Sequence, residues 1–140
     1  MPLHRVYAAK GIFSPEEKRA IAQSITHIYD AIPLPSFYTV VVFIDVEEDS
    51  IFVGGKANAR FVRIVSQHLA RSYSTAEAAA KVVDQIQDAF APYVRDRGLD
   101  WESHVEYVDR EGWRENGLKP PMPKTDAEKT WIELDKPVPY

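Results

Sequence analysis

Apolar residues fall at helical spacing between Ser14 and Pro35. Ile21, Ile25, Ile28 and Ile32 lie four, three and four residues apart, so they line one face of a helix that Pro33 and Pro35 stop. Its start is marked by Ser14-Pro15-Glu16-Glu17, where Ser14 caps, Pro15 takes the first helical position and Glu17 completes a capping box. Residues 3–9 (LHRVYAA) form a short strand before it. Tyr38 to Ile44 (YTVVVFI) is a continuous β-branched and aromatic run, the pattern of a strand buried on both faces. Strand, helix and buried strand compose a βαβ unit over about residues 2–46, with a right-handed crossover.

The same order returns over about residues 60–109. Phe61 to Ala70 (FVRIVSQHLA) reads as a strand, and Ser74 with Glu77 offers a second capping box. Val82, Val83, Ile86, Phe90, Tyr93 and Val94 give a helical apolar face that ends before Gly98, with Pro92 a point of kinking or shortening. His104 to Asp109 (HVEYVD) is the fourth main strand. Between the units, Gly54-Gly55 marks the turn of a small hairpin. The Pro-rich stretch 112–140 is too irregular to join the layers, and its Trp113, Trp131 and Tyr140 predict a tail that wraps over a surface or a neighbouring subunit. The pattern therefore predicts one α/β domain, residues 1–140, in which two tandem βαβ units form a four-stranded sheet with two helices on one face.

A length of 140 residues suffices to bury a core without disulfides or a structural metal, and 45% apolar with 27% charged residues is an ordinary globular composition. The net charge of -4 argues against nucleic acid or an anionic membrane as the main partner, since both attract a basic surface. The absence of cysteine removes disulfides, a thiolate nucleophile and Cys-based zinc sites. No apolar run reaches the roughly 18 residues that span a bilayer, so the default expectation is a soluble, cytoplasmic protein. His4, His27, His68 and His104 lack metal-ligand spacing, and no P-loop, nucleophile elbow or dinucleotide fingerprint is present, so neither metal nor cofactor is expected.

A proline directly after Met1, opening a strand in a chain of two βαβ units, resembles the tautomerase superfamily, and within it the cis-3-chloroacrylic acid dehalogenase-like group. The resemblance covers nearly the whole chain and extends to fungal-type oxalocrotonate tautomerase-like members. It is carried by the N-terminal MP with its strand, SPEEKRAIAQSIT, EEDSIFVGG, the segment ending HLARS, and RENGL. It implies a homotrimer, no cofactor, and a small-molecule carboxylate as substrate. Pro2 matches the family's catalytic proline, whose nitrogen becomes a secondary amine on removal of Met1 and serves as base when neutral or acid when protonated. Arg71 matches a carboxylate-binding arginine, a role that suits the planar guanidinium fork.

The chain also departs from that pattern. Ser74 stands where the dehalogenase-type members have a second arginine, and Arg60 or Arg63 could replace the missing cation. Tyr29 aligns with an assisting histidine of the helix, His27 being two residues out of register. Glu115 matches a water-activating carboxylate. The tyrosine partner of that carboxylate aligns with His104, or with Tyr107 after a three-residue shift. Each residue also has a plain structural reading: Arg71 as an ion-paired surface residue, Glu115 as a solvated loop carboxylate, Tyr29 as core packing and His104 as structural. The expected function is an isomerase or lyase acting on a small enolisable or unsaturated carboxylate. Two other classes stay open: an isomerase or cyclase of secondary metabolism with a larger substrate, its pocket walled by Trp113 and the tail, and a non-catalytic trimeric binding protein.

Overall fold

The computed structural model describes residues 1–30, 32–69, 73 and 75–140. Its main sheet has four strands: β1 (Pro2–Ala9), β2 (Val40–Val46), β5 (Phe61–Leu69) and β6 (Asp100–Val108), in the order β2-β1-β5-β6. β1 runs parallel to β2 and β5 parallel to β6, while β1 and β5 pair antiparallel in the centre. Two parallel strand pairs are thus joined side by side. A small hairpin of β3 (Phe52–Val53) and β4 (Lys56–Ala57) lies between them, turning through Gly54 and Gly55 at φ of 57° and 78°, a conformation that glycine adopts without a Cβ penalty.

Helix α1 (Pro15–His27) begins as the sequence predicts: the Ser14 hydroxyl accepts from the Glu17 amide and the Glu17 carboxylate accepts from the Ser14 amide. It ends earlier than predicted. Ile28 and Ile32 lie beyond its last turn, yet both still pack on the core. Helix α2 (Ala76–Phe90) is capped by the Thr75 hydroxyl, which accepts from the Ala78 amide; Ser74, the expected cap, lies outside the described residues. Pro92 falls in the one-turn 3-10 helix that follows, so it shortens the α-helix.

Alternation along β1 and β5 sends Val6, Ala8, Val62 and Ile64 to the helix-covered face. They meet Ile21 and Ile25 of α1 and Ile86 and Phe90 of α2, so both helices pack on one side of the sheet. The other face carries Arg5, Arg63, Gln67, Glu102, His104 and Glu106, tied by ion pairs Arg63–Glu102 and Arg5–Glu106 and by a Gln67–Glu106 hydrogen bond of 2.7 Å. β2 is only partly buried, with Val42 40% exposed, because it forms an edge of the sheet; the expectation of a strand covered on both faces does not hold within one chain.

The tail also differs from expectation. It contains a third helix, α3 (Asp126–Leu134), capped by Thr125. Trp131 of α3 is fully buried against Tyr38 and Phe37, and with Trp113 these rings form a second apolar cluster that draws in Met1, Leu34 and Leu69. The tail therefore closes over its own chain beside the start of β1.

Candidate active site

Pro2, at the head of β1, lies opposite His68 in the antiparallel register with β5. A cavity of about 180 Å³ opens there. Its polar groups come from Tyr29, His68 and Tyr73, and its apolar walls from Ile32, Leu34, Leu69 and Met1. Tyr29 is placed by the turn that follows α1, where its amide bonds to the Thr26 carbonyl, and Tyr73 follows the end of β5. Met1 is locked across the cavity: its ammonium donates to the Leu69 carbonyl at 3.0 Å, and the Leu69 amide donates to the Met1 carbonyl at 2.8 Å.

The Tyr29 hydroxyl bridges two histidines, 3.1 Å from His4 Nε2 and 3.0 Å from His68 Nε2. His4 Nδ1 meets the Ser66 hydroxyl at 2.7 Å, and His68 Nδ1 meets that of Tyr73 at 3.1 Å. Burial lowers the pKa of His4 to about 3, helped by His68; it lowers that of His68 to about 4, helped by the N-terminal ammonium. Both imidazoles are neutral near pH 7. Burial, reinforced by Tyr73, raises the Tyr29 phenol above its ordinary value, so it too is neutral. Tyr29 and His68 thus present uncharged donors and acceptors beside the apolar walls.

The family model described as "Putative oxalocrotonate tautomerase enzyme" matches residues 1–136. The chain belongs to this tautomerase family. Among solved structures, RhCC from Rhodococcus jostii RHA1 is 38% identical with a TM-score of 0.92, covering 99% of this chain and 99% of its own. A protein from the thermophilic fungus Aspergillus fumigatus is 34% identical with a TM-score of 0.93, over 100% of this chain and 98% of its own. N1, a member of the cis-3-chloroacrylic acid dehalogenase family, is 22% identical with a TM-score of 0.75, over 95% of this chain and 97% of its own, a likeness of fold. No curated protein matches the chain.

Within this tautomerase fold the predicted residues separate. Pro2 and Tyr29 line the cavity. Tyr107 stands at its edge, in register with His68 and in edge contact with the rings of His68 (6.3 Å between centroids) and Tyr73 (6.2 Å). His104 does not join them. Three residues along β6 reverses the face, and its ring is held on the helix-free side between Arg63 at Nδ1 (3.1 Å) and Glu106 at Nε2 (3.0 Å). Tyr107, and not His104, therefore lies on the cavity's side of the sheet.

Neither candidate for the second cation reaches the cavity. Arg63 is paired with Glu102 on the helix-free face, and Arg60 precedes β5 at the end remote from His68, donating to the Arg97 and Gly98 carbonyls. Arg71 lies outside the described residues; in sequence it falls between Leu69 and Tyr73, both of which line the cavity. Trp113 is buried in the second apolar cluster, with its Nε1 donating to Glu115 Oε2 at 3.3 Å. Trp113 shares that cluster with the wall residues Met1, Leu34 and Leu69, and neither it nor Glu115 is among the residues that line the cavity while Met1 is in place.

Sequence reasoning passed over His4, Ser66, His68 and Tyr73. The usable signal was alternation: His4 shares the face of Val6 and Ala8, and Ser66 and His68 that of Val62 and Ile64. Among the described residues no group of three or more His, Asp or Glu could hold a metal ion, and no helix is long and apolar enough to cross a membrane.

Proposed function

We propose that the protein is a cofactor-independent isomerase or lyase acting on a small enolisable or α,β-unsaturated carboxylate, with Pro2 as acid or base once Met1 is removed. Membership of a tautomerase family supports the enzyme class. The observation that carries the reading is the place of Pro2 opposite His68 in the wall of a largely apolar cavity that Tyr29 and Tyr73 also line. While Met1 is attached, the Pro2 nitrogen belongs to a tertiary amide and has neither a basic lone pair nor a proton to give. Removal of Met1 makes it a secondary amine and vacates part of the cavity. Ile32, Leu34 and Leu69 then surround the amine with low-polarity walls, which disfavour the ammonium and bring the neutral base within reach at ordinary pH.

In this reading Pro2 takes a proton from carbon beside the substrate carbonyl and returns it at another position. Tyr29, held between His4 and His68, polarises the pocket beside the oxygen on which charge develops. Arg71 binds the carboxylate, Tyr107 shapes the edge, and Glu115, steadied by Trp113 and within reach only once Met1 leaves the cavity wall, orients water or a second proton. We further propose a homotrimer, supported by the partly uncovered apolar strand β2. A larger substrate is the second reading. One observation favours it: a further cavity of about 180 Å³, lined by Thr26, Asp30, Pro33 and Ser36, shares Tyr29, Ile32 and Leu34 with the first.

Intact mass spectrometry of the native chain, with ketonisation of phenylenolpyruvate and 2-hydroxymuconate as the assay, tests the proposal. The expected results are loss of Met1, and a Pro2→Ala variant slowed by about 100-fold or more with an altered pH profile. A fully active chain that retains Met1, or a Pro2→Ala variant of unchanged rate, overturns the proline mechanism.

A further inference from the structure

A phenol has one proton, and the Tyr29 hydroxyl stands between two imidazole nitrogens, His4 Nε2 at 3.1 Å and His68 Nε2 at 3.0 Å. Where that proton goes decides what Tyr29 can offer a ligand. Its direction is set in the core, by Ser66, which does not line the cavity. Ser66 faces His4 across the antiparallel pair of β1 and β5, both side chains are wholly buried, and Ser66 Oγ lies 2.7 Å from His4 Nδ1.

Among the described residues His4 Nδ1 is the one partner of the Ser66 hydroxyl. Were Ser66 to accept from an Nδ1–H, its own proton would be left in the core without an acceptor; when it donates, it leaves only lone pairs unused. A buried donor without a partner is the costlier of the two. Ser66 therefore donates to His4 Nδ1. The His4 ring is neutral, since burial lowers its pKa and no carboxylate among the described residues bonds to it, so its single proton sits on Nε2. From there it is donated to the Tyr29 oxygen.

With His4 donating from the core side, the Tyr29 proton turns the other way, toward His68 and the cavity that both residues line. The outcome is the same for either tautomer of His68. If His68 Nε2 accepts, the proton rests there until a ligand oxygen competes for it; if His68 Nε2–H donates, the Tyr29 oxygen receives two N–H groups and its proton points past them. Accepting an N–H also polarises the phenol and makes it a stronger donor.

We propose that His4, its tautomer fixed by Ser66, is a positioning residue that holds the Tyr29 O–H toward the cavity, as a donor to an oxygen of the ligand beside Pro2. The role in turnover rests on the Pro2 reading: as a proton leaves carbon for the Pro2 nitrogen, the C–H electron pair passes into the enolate, and the charge that collects on its oxygen meets the Tyr29 O–H. Tyr29 keeps its proton throughout, and His4 and Ser66 act only through it.

The first readout is the His4 tautomer at pH 7, taken by nitrogen-15 NMR on the native protein after removal of Met1. The proton is expected on Nε2; a proton on Nδ1, or on both nitrogens, overturns the proposal. The second is phenylenolpyruvate ketonisation. His4→Leu is expected to lower kcat about tenfold with KM little changed, less than the ~100-fold of a donor removed outright, since Tyr29 stays in place. His4→Gln, which keeps an N–H at a similar reach, recovers most of that loss, and neither substitution lowers kcat further in a Tyr29→Phe background. A His4→Leu loss that persists without the Tyr29 hydroxyl, or that His4→Gln does not recover, marks a merely structural role and overturns the proposal. If His4→Leu does not fold, the tautomer of the unsubstituted protein still decides it. The tautomer is read without turnover, so the two readings fail separately. A proton on Nδ1 in a protein slowed by Pro2→Ala removes this proposal alone; a proton on Nε2 in one that Pro2→Ala does not slow supports it for Tyr29 and removes the Pro2 reading.

Discussion

His4 and His68 occupy inward positions of central strands where apolar side chains are the rule, and their burial ties stability to pH. Among the described residues the groups facing them are Ser66, Tyr29, Tyr73, Tyr107 and the Met1 ammonium, none of which supplies a negative charge to hold an imidazolium. Their pKa values fall from 6.5 to about 3 and about 4, so between about pH 6.5 and 4 the unfolded chain binds protons that the folded chain does not. Stability then rises with pH, and it is lost as the pH falls through that window. Acidification from pH 7 to pH 5 is expected to cost about 4 kcal/mol from the pair. Urea unfolding at stepped pH checks this, and a flat profile from pH 7 to 5 contradicts neutral, buried histidines. Pro2 and Tyr29, which line the cavity, were pointed to by the family resemblance and not by composition or periodicity. The histidines stayed hidden because they were judged by metal spacing, whereas strand alternation is what defines their surroundings. The same alternation puts Tyr107 and His104 on opposite faces of the sheet.

Helix α3 shows why an element can escape a reading by pattern. Its nine residues are too few to hold a helix alone, and most of its support comes from Trp131 packing on Phe37 and Tyr38, partners distant in sequence. Prolines on either side read as irregular chain, although Thr125 and Glu128 carried a capping signal. At its end Asp135 takes a left-handed conformation at φ 45°, and its carboxylate accepts from the Ser36 amide and hydroxyl and the Phe37 amide. These bonds, led by the Ser36 hydroxyl, hold its pKa below the ordinary carboxylate value. Asp135→Ala removes all of them at once. The expected loss, discounted for exposure, is about 1–2 kcal/mol, together with earlier cleavage in the tail under limited proteolysis. An unchanged unfolding midpoint and cleavage pattern would show that Trp131 alone anchors the tail. Helix α1 illustrates the complementary case: its start was fully legible from local capping, but Ile28 and Ile32 belong to the core without belonging to the helix.

The assembled sheet has one face sealed by α1 and α2 and one without helices. On the uncovered side the β6 half is charged and internally paired, whereas the β2 edge is built from valine and isoleucine. YTVVVFI has the composition of a doubly covered strand, yet a single chain leaves Val42 40% exposed at an open edge. Exposed apolar edges promote association unless something covers them. A second and third copy of the chain would supply that cover in the proposed homotrimer, and would reconcile the strand's composition with its surroundings. Sedimentation equilibrium of the native protein is expected to give three times the 15.9 kDa chain mass. Val42→Asp places a charge in the middle of the β2 edge, where desolvation opposes its burial between subunits. It is expected to shift the protein to the single-chain mass while far-ultraviolet circular dichroism stays native-like, since Val42 is not among the residues that pack beneath the helices. A native protein that sediments as one chain at micromolar concentration, or a Val42→Asp variant that stays assembled, rules out the β2 edge as the trimer contact.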